Sequence, residues 1–200
     1  MRKRNIFKLL TLIFVLLLFY GCAPKNTQPP SQGVLIWQEV FRESDNDCAY
    51  SIQQTSDGGY IVAGYTSSFG AGGNDVYIIK LDKFGEREWQ EVFGESDNDY
   101  AYSIQQTTDG GYIVAGYTES FGAGGDVYII KLSSNGQQQW YKTFGGSGND
   151  CARSIQQTTD GGYIVAGETV SIDPSGVYVY SYIYLIKLDA NGNTGPYPTQ

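Results

Sequence analysis

The sequence predicts an all-β fold built from three like units. Three observations lead there. Trp37, Trp89 and Trp140 each open a copy of one segment, and they recur after 52 and 51 residues. Each copy holds short runs rich in Val, Ile, Tyr and Thr, bounded by Gly, Asn, Asp and Ser. No stretch within the copies carries a sustained apolar period of 3.6 residues. Units of this size stack, because one alone cannot bury its own apolar surface.

The second copy shows each element. Residues 101–107 alternate and read as a first strand. Thr108-Asp109-Gly110-Gly111 follows, and Asp-Gly between two such runs is a hairpin signal. Residues 112–118 form a second strand that is apolar on both faces, as suits a strand covered on both sides. After a Gly-rich loop at 119–125, residues 126–132 make a third strand. Ser134-Asn135-Gly136 makes a second tight turn, and the more polar residues 139–144 suit an outer fourth strand. Residues 145–150 lead into the next copy.

Four consecutive antiparallel strands in about 50 residues make one blade of a β-propeller. The outer-strand Trp, the Asp-Gly-Gly-Tyr hairpin and the Tyr-Ile-Val-Ala-Gly strand resemble the short bacterial β-propeller repeats. The resemblance spans residues 37–189 and implies a fold, not a ligand. A β-helix or a sandwich of hairpins leaves the four-strand period unexplained.

The ends of the array are out of phase. The last copy keeps a third strand at 182–188 and a turn at Asp189-Ala190-Asn191-Gly192-Asn193. Thr194-Gly195-Pro196-Tyr197-Pro198 cannot follow as a fourth strand. Residues 34–41, in contrast, read as a fourth strand with no blade before it. The expected fold is therefore a partial propeller of three four-stranded antiparallel blades. Residues 34–41 supply the missing outer strand of the last blade, in cis or in trans. Propellers have typically 4–8 blades. The chain is then either an open arc or half of a homodimer that completes a six-bladed ring.

Residues 1–21 read as an export signal. Four basic residues precede an apolar run from Leu9 to Tyr20 that is too short to span a bilayer. Gly21-Cys22 after such a run resembles the bacterial lipoprotein lipobox. That resemblance implies lipidation at Cys22 and a membrane anchor. Ala23, rather than Asp, implies the outer membrane where a cell has two. Residues 22–33, with Pro24, Pro29 and Pro30, read as a flexible tether. Residues 34–193 are the three-repeat domain, and 194–200 a short tail.

Removing residues 1–21 takes the net charge from −8 to −12. An acidic domain of this kind is a poor partner for nucleic acid. Cys48 and Cys151 stand at equivalent positions two units apart, too far to bridge. Both are expected as buried free thiols.

One face of such blades gathers the loops before each first strand and those after each second strand. It carries Asp45, Asp47, Asp97, Asp99 and Asp150 beside Phe69 and Phe121. Three readings of it compete. Asp47, Asp99 and Asp150 act as turn caps. Alternatively, the carboxylates and amides hold calcium, although the alternating Asp ligand loop is absent. Alternatively, a protein or glycan lies across the face with the phenylalanines as platforms. The third copy lacks Phe-Gly-Ala-Gly-Gly and has a loop at 170–176 followed by Tyr178 and Tyr180, a second candidate ligand site. No cofactor or metal is expected.

The chain contains no His, and its Ser, Cys and carboxylates recur in near-identical settings. Acid–base catalysis needs groups pushed into different roles. The expected function is thus a non-catalytic binding or scaffold module held at the cell envelope. A purely structural remnant of a larger propeller is the alternative, and a propeller hydrolase or lyase a more distant one.

Overall fold

The computed structural model describes residues 36–41, 44–172 and 179–195. Cys22 and Tyr178, expected as lipidation and ligand sites, lie outside them. The strands belong to the unit Trp37–Gln200. Three antiparallel sheets follow one another along the chain. The first is ordered β1 (Asp47–Gln54), β2 (Tyr60–Thr66), β3 (Asp75–Leu81), β4 (Arg87–Phe93). The second runs β5 (Asp99–Gln106), β6 (Tyr112–Thr118), β7 (Asp126–Leu132), β8 (Gln138–Phe144). The third holds β9 (Asp150–Gln157), β10 (Tyr163–Ile172) and β11 (Val179–Leu188). No helix occurs among the described residues, and no sheet closes on itself.

The hairpins form where Asp-Gly predicted them. Thr55, Thr107 and Thr158 each donate from the amide to the carbonyl of Gly59, Gly111 and Gly162. The turn Asp of each unit also meets a lysine from the third strand: Asp57 with Lys80, Asp109 with Lys131, Asp160 with Lys187. Lys80 and Lys131 are buried but keep their ammonium groups at the turn, so the stem packs and the charge stays paired.

The core lies between sheets. Ile61, Ala63, Val76 and Ile78 of the first sheet pack on Ala101, Ile104, Val114 and Ile130 of the second. The other face of the second sheet, with Ile113, Ala115, Val127 and Ile129, packs on Ala152, Ile155, Val165 and Ile186 of the third. The middle strand β6 is therefore apolar on both sides because both sides are covered.

The tryptophans are the clasps between units. Trp89 meets Tyr112 edge-on at 5.8 Å, and Trp140 meets Tyr163 at 6.0 Å. Each ring also lies over a turn glycine of the next unit, Gly136 or Gly192. A Cβ there would stand 3.0 Å or less from the indole, and both glycines have positive φ. Such a ring pair contributes about 0.5–1.5 kcal/mol beyond its buried area.

First strands are joined by side chains. Ser51 Oγ and Gln53 Oε1 accept from the Ile104 and Gln106 amides. Ser103 and Gln105 do the same for Ile155 and Gln157. The Ser-Ile-Gln-Gln motif thus spends its polar groups on the backbone edge of the following repeat.

Three expectations need correction. Residues 36–41 form no strand and do not complete the third sheet within the chain. Trp37 and Phe41 pack instead on Tyr77, Ile79 and Leu81 of the first sheet. Trp37 meets Tyr60 edge-on at 5.6 Å and lies over Gly85, repeating the Trp89 and Trp140 contacts. The segment holds the place of a preceding unit's fourth strand, and with no sheet among the described residues beside it to pair with, it stays irregular. Second, Cys48 is exposed and only Cys151 is buried; both are free. The reason is the missing neighbour, since nothing among the described residues covers the outer face of β1 as the second sheet covers β9. Third, Val170, Ser171 and Ile172 continue β10 and pair with β11, so they are strand rather than loop.

Candidate functional site

The acidic residues of the loop face divide into two kinds. Asp45 and Asp97 are exposed, and their amides donate to Ser68 and Ser120. Asp99 and Asp150 are buried and turn inward. Asp99 Oδ2 accepts from the Glu95 amide and the Ser120 hydroxyl, and Asp150 Oδ2 from the Gly146 amide. Asp47 Oδ2 accepts from Ser68. Asp99 and Asp150 brace the entry to their first strands through backbone amides, whereas among the described residues the Asp47 carboxylate is tied only to the loop after the second strand.

Their surroundings include two residues that sequence reasoning passed over. Asp75 and Asp126 open β3 and β7 and are also buried. A Cβ on Gly145 would lie 1.9 Å from Asp126 Oδ1 and 2.5 Å from Asp150 Oδ2. On Gly94 the values are 2.0 Å to Asp75 Oδ1 and 2.6 Å to Asp99 Oδ2. The two carboxyls of each pair thus face each other across the volume of one absent carbon. Burial pushes the Asp75 and Asp126 carboxyls up; the Ala71 and Ala123 amides oppose this, and the facing aspartates add to it. Oδ1 of all four residues has no hydrogen-bond partner among the described residues. Among the described residues no group of three or more His, Cys, Asp or Glu is placed to hold a metal ion.

Phe69 and Phe121 are half-buried rather than free platforms. Phe69 packs on Tyr77 at 5.9 Å, and Phe121 on Tyr128 and Tyr141 at 5.4 and 5.2 Å. They close the rim of the core. Tyr180 is exposed and stacks on Tyr182 at 6.2 Å. Beside the loops of the third unit, Gly146, Ser147, Asp150, Thr169 and Tyr184 line an open cleft of 430 Å³.

A second surface concentrates more chemistry. Each first strand carries a β-bulge: the register with the second strand skips Tyr50, Tyr102 and, in the third unit, Arg153. The extra residue lets Ala101 and Ile104, three apart, both enter the core. It also sets Tyr102 beside Tyr100 on the opposite side, the rings parallel within 9° at 6.1 Å. Tyr65 and Tyr117 stand across the ladder. The result is a continuous tyrosine surface. Tyr50 meets Tyr65 and Tyr102 at 5.9 and 5.2 Å, and Tyr100 meets Tyr65 and Tyr117 at 5.2 and 6.3 Å.

One ion pair ends the surface. The Arg153 guanidinium lies 4.7 Å over the Tyr102 ring and donates from Nε and Nη2 to Glu168 Oε1. The Glu168 carboxyl is lowered by that hydrogen bond and charge. Tyr100, Tyr102, Tyr117, Arg153 and Glu168 line a cleft of 260 Å³. Burial, more than any charge, raises the Tyr102 and Tyr117 hydroxyls, so both stay neutral donors near pH 7. Burial pushes the Cys151 thiol beside them up to about 11, so it stays protonated and a poor nucleophile.

The sequence held a signal for this surface. Alanine and isoleucine three apart, as in Ala101-Tyr102-Ser103-Ile104, break strand alternation and mark a bulge. Tyr102 and Tyr117 also change together, to Arg153 and Glu168, in the third copy.

No family model matches the chain, and no curated protein matches it.

Proposed function

We propose that this chain is a lipid-anchored, non-catalytic binding and scaffold module of the bacterial cell envelope. Its three sheets act as propeller blades whose first strands line the axis. The packing of first strands supports the arrangement: β1 adjoins β5 and β5 adjoins β9, with no comparable contact between β4 and β8. Sheets that touch along one edge and spread at the other are wedges around a common line.

The single observation that carries the binding role is the tyrosine surface beside the Arg153–Glu168 pair. Flat aromatic faces with hydroxyl tips, near a guanidinium and a carboxylate, suit the apolar faces and hydroxyls of a glycan. Neutral tyrosines, a protonated Cys151 and the absence of His from the sequence favour holding over turnover. The acidic loop face above the cleft disfavours polyanionic ligands.

The test is a glycan array probed with the full chain, followed by titration of any hit against Tyr102→Ala and Arg153→Ala. Binding that falls at least tenfold in both variants supports the reading. A purely structural remnant predicts no glycan bound above background. Binding that survives both substitutions but is lost in Asp45→Asn with Asp97→Asn moves the site to the loop face.

A further inference from the structure

The two ends of the array are unfinished copies of the interfaces inside it. On the third sheet, Ile183 and Leu185 are 85% and 63% exposed. The equivalent residues of the second sheet, Val127 and Ile129, are 1% and 0% exposed because the third sheet covers them. On the first sheet Ile52 is 63% exposed, and its equivalent Ile104 is 5%. Beside it Val40, Phe41, Ala49, Val62 and Ile79 line an apolar groove of 260 Å³. One end carries the face that a unit shows its successor, and the other the face it shows its predecessor.

The backbones are unfinished in the same sense. β11 is the outer strand of its sheet, whereas β3 and β7 are each paired with a fourth strand. Residues 37–41 are the converse: they carry the Trp-Gln-Glu-Val-Phe of β4, and Trp37 and Phe41 pack as β4 does, yet they pair with no sheet among the described residues. Ser154 and Gln156, the side chains that would bond a following repeat, are exposed. Ile52 and Gln54 hold the positions whose amides would donate those bonds, and they are exposed as well.

We infer that a second copy of this chain docks head to tail on these faces, and that each copy's residues 36–41 become the fourth strand of the other's third sheet. The register is fixed by the units already formed. Val76 pairs with Phe93, Ile78 with Glu91 and Lys80 with Trp89, and β7 and β8 keep the same pattern. Carried over, Ile183 opposes Phe41, Leu185 opposes Glu39, and Lys187 opposes Trp37 of the partner copy. Ser154 and Gln156 then accept from the Ile52 and Gln54 amides of the partner. A head-to-tail contact leaves a free end on each side unless the assembly closes. Two copies of the three described sheets give six units, within the range of about 4–8 blades. This docking does not depend on the glycan site, which lies on the first and second strands of each unit.

The experiment uses two tagged full-length chains, one Glu39→Cys and one Leu185→Cys, both with Cys48→Ser. Both substituted positions are exposed in the single chain, so neither variant disturbs its fold. Opposed residues of paired strands have Cα atoms about 4.5–5.5 Å apart, within disulfide range. After mixing and mild oxidation, the expected product is a disulfide-linked pair carrying both tags, with the unoxidised mixture at two-copy mass. A control pair, Glu39→Cys with Val179→Cys, stays unlinked. Linkage in the control at equal yield, no linkage at Leu185, or assemblies that grow beyond two copies would overturn the inference.

Discussion

Strands β7 and β11 have nearly the same sequence and opposite surroundings. Each ends in an aliphatic–Tyr–aliphatic–Ile–Lys–Leu run, Val127 to Leu132 in one and Ile183 to Leu188 in the other. β7 is buried along its length; of the corresponding residues in β11 only Ile186 and Leu188 are. Those two face the second sheet, while Ile183 and Leu185 face outward. Burial here is thus decided by the neighbouring unit and not by the residue. Such a protein is a row of units, each stable chiefly through its contacts with the next.

The largest expected effect comes from breaking the internal side of that comparison. Ile129→Ala removes a fully buried side chain and should cost about 2–5 kcal/mol. At roughly 2–4 °C per kcal/mol for a domain of this size, the unfolding midpoint drops accordingly. Leu185→Ala at the same strand position should shift the midpoint of dilute, separate chains by under about 0.5 kcal/mol. Its effect should appear only as concentration rises and copies associate. Calorimetry over a hundredfold concentration range reads both. Equal losses in dilute solution would mean that β11 is covered within its own chain.

A smaller effect sharpens the contrast between the facing aspartates and the paired ones. The Asp126 carboxyl is raised in the folded state, so protonation is favoured there relative to the unfolded chain. Its contribution is most favourable at acid pH and is lost as pH rises past the folded value. Asp126→Asn places a donor opposite Asp150 and removes the like charge. The variant should melt a few degrees above the parent at pH 7 and approach it below pH about 4. A variant that melts lower at pH 7 would indicate that the bond Asp126 accepts from the Ala123 amide outweighs the repulsion from Asp150.

Asp109 behaves in the opposite sense. Burial raises its carboxyl, but the Thr107 hydroxyl, the Gly111 amide and Lys131 outweigh this and hold it at about 2, below the 3.8 of a free side chain. Its stabilisation is present above pH 3.8 and lost as pH falls toward 2. Asp109→Asn should therefore lower the midpoint at pH 7 by a degree or two, since the pair is half open to water. The two proteins should converge as pH falls to about 2. An unchanged difference at pH 2.5 would locate the effect in turn geometry rather than in charge.

How far the sequence disclosed all this follows from where each signal resides. The fifty-residue period, the Asp-Gly hairpins and the doubly apolar β6 are local or repetitive, so the strands were legible. Residues 34–41 read as a strand on composition alone, but a strand needs a paired edge, and none among the described residues lies beside 36–41. Cys48 and Cys151 are the same residue at the same repeat position, so their different burial could not be read from either. Of the candidate site, Asp99 and Asp150 as turn braces were legible from their position at strand entry. Asp75 and Asp126 were not, because the facing of two carboxyls across Gly94 and Gly145 arises only when adjacent units meet. The tyrosine surface depends on the bulge, whose trace is the three-residue spacing of Ala101 and Ile104.

The most direct measurement is amide hydrogen exchange along β11, made at dilutions below and above the point where copies associate. If the ends are unfinished interfaces, the β11 amides that point away from β10 exchange like a free edge in dilute chains. They become protected at high concentration, together with the amides of residues 37–41. Protection of those amides that is already complete in single chains, or exchange that stays fast at every concentration, would contradict it.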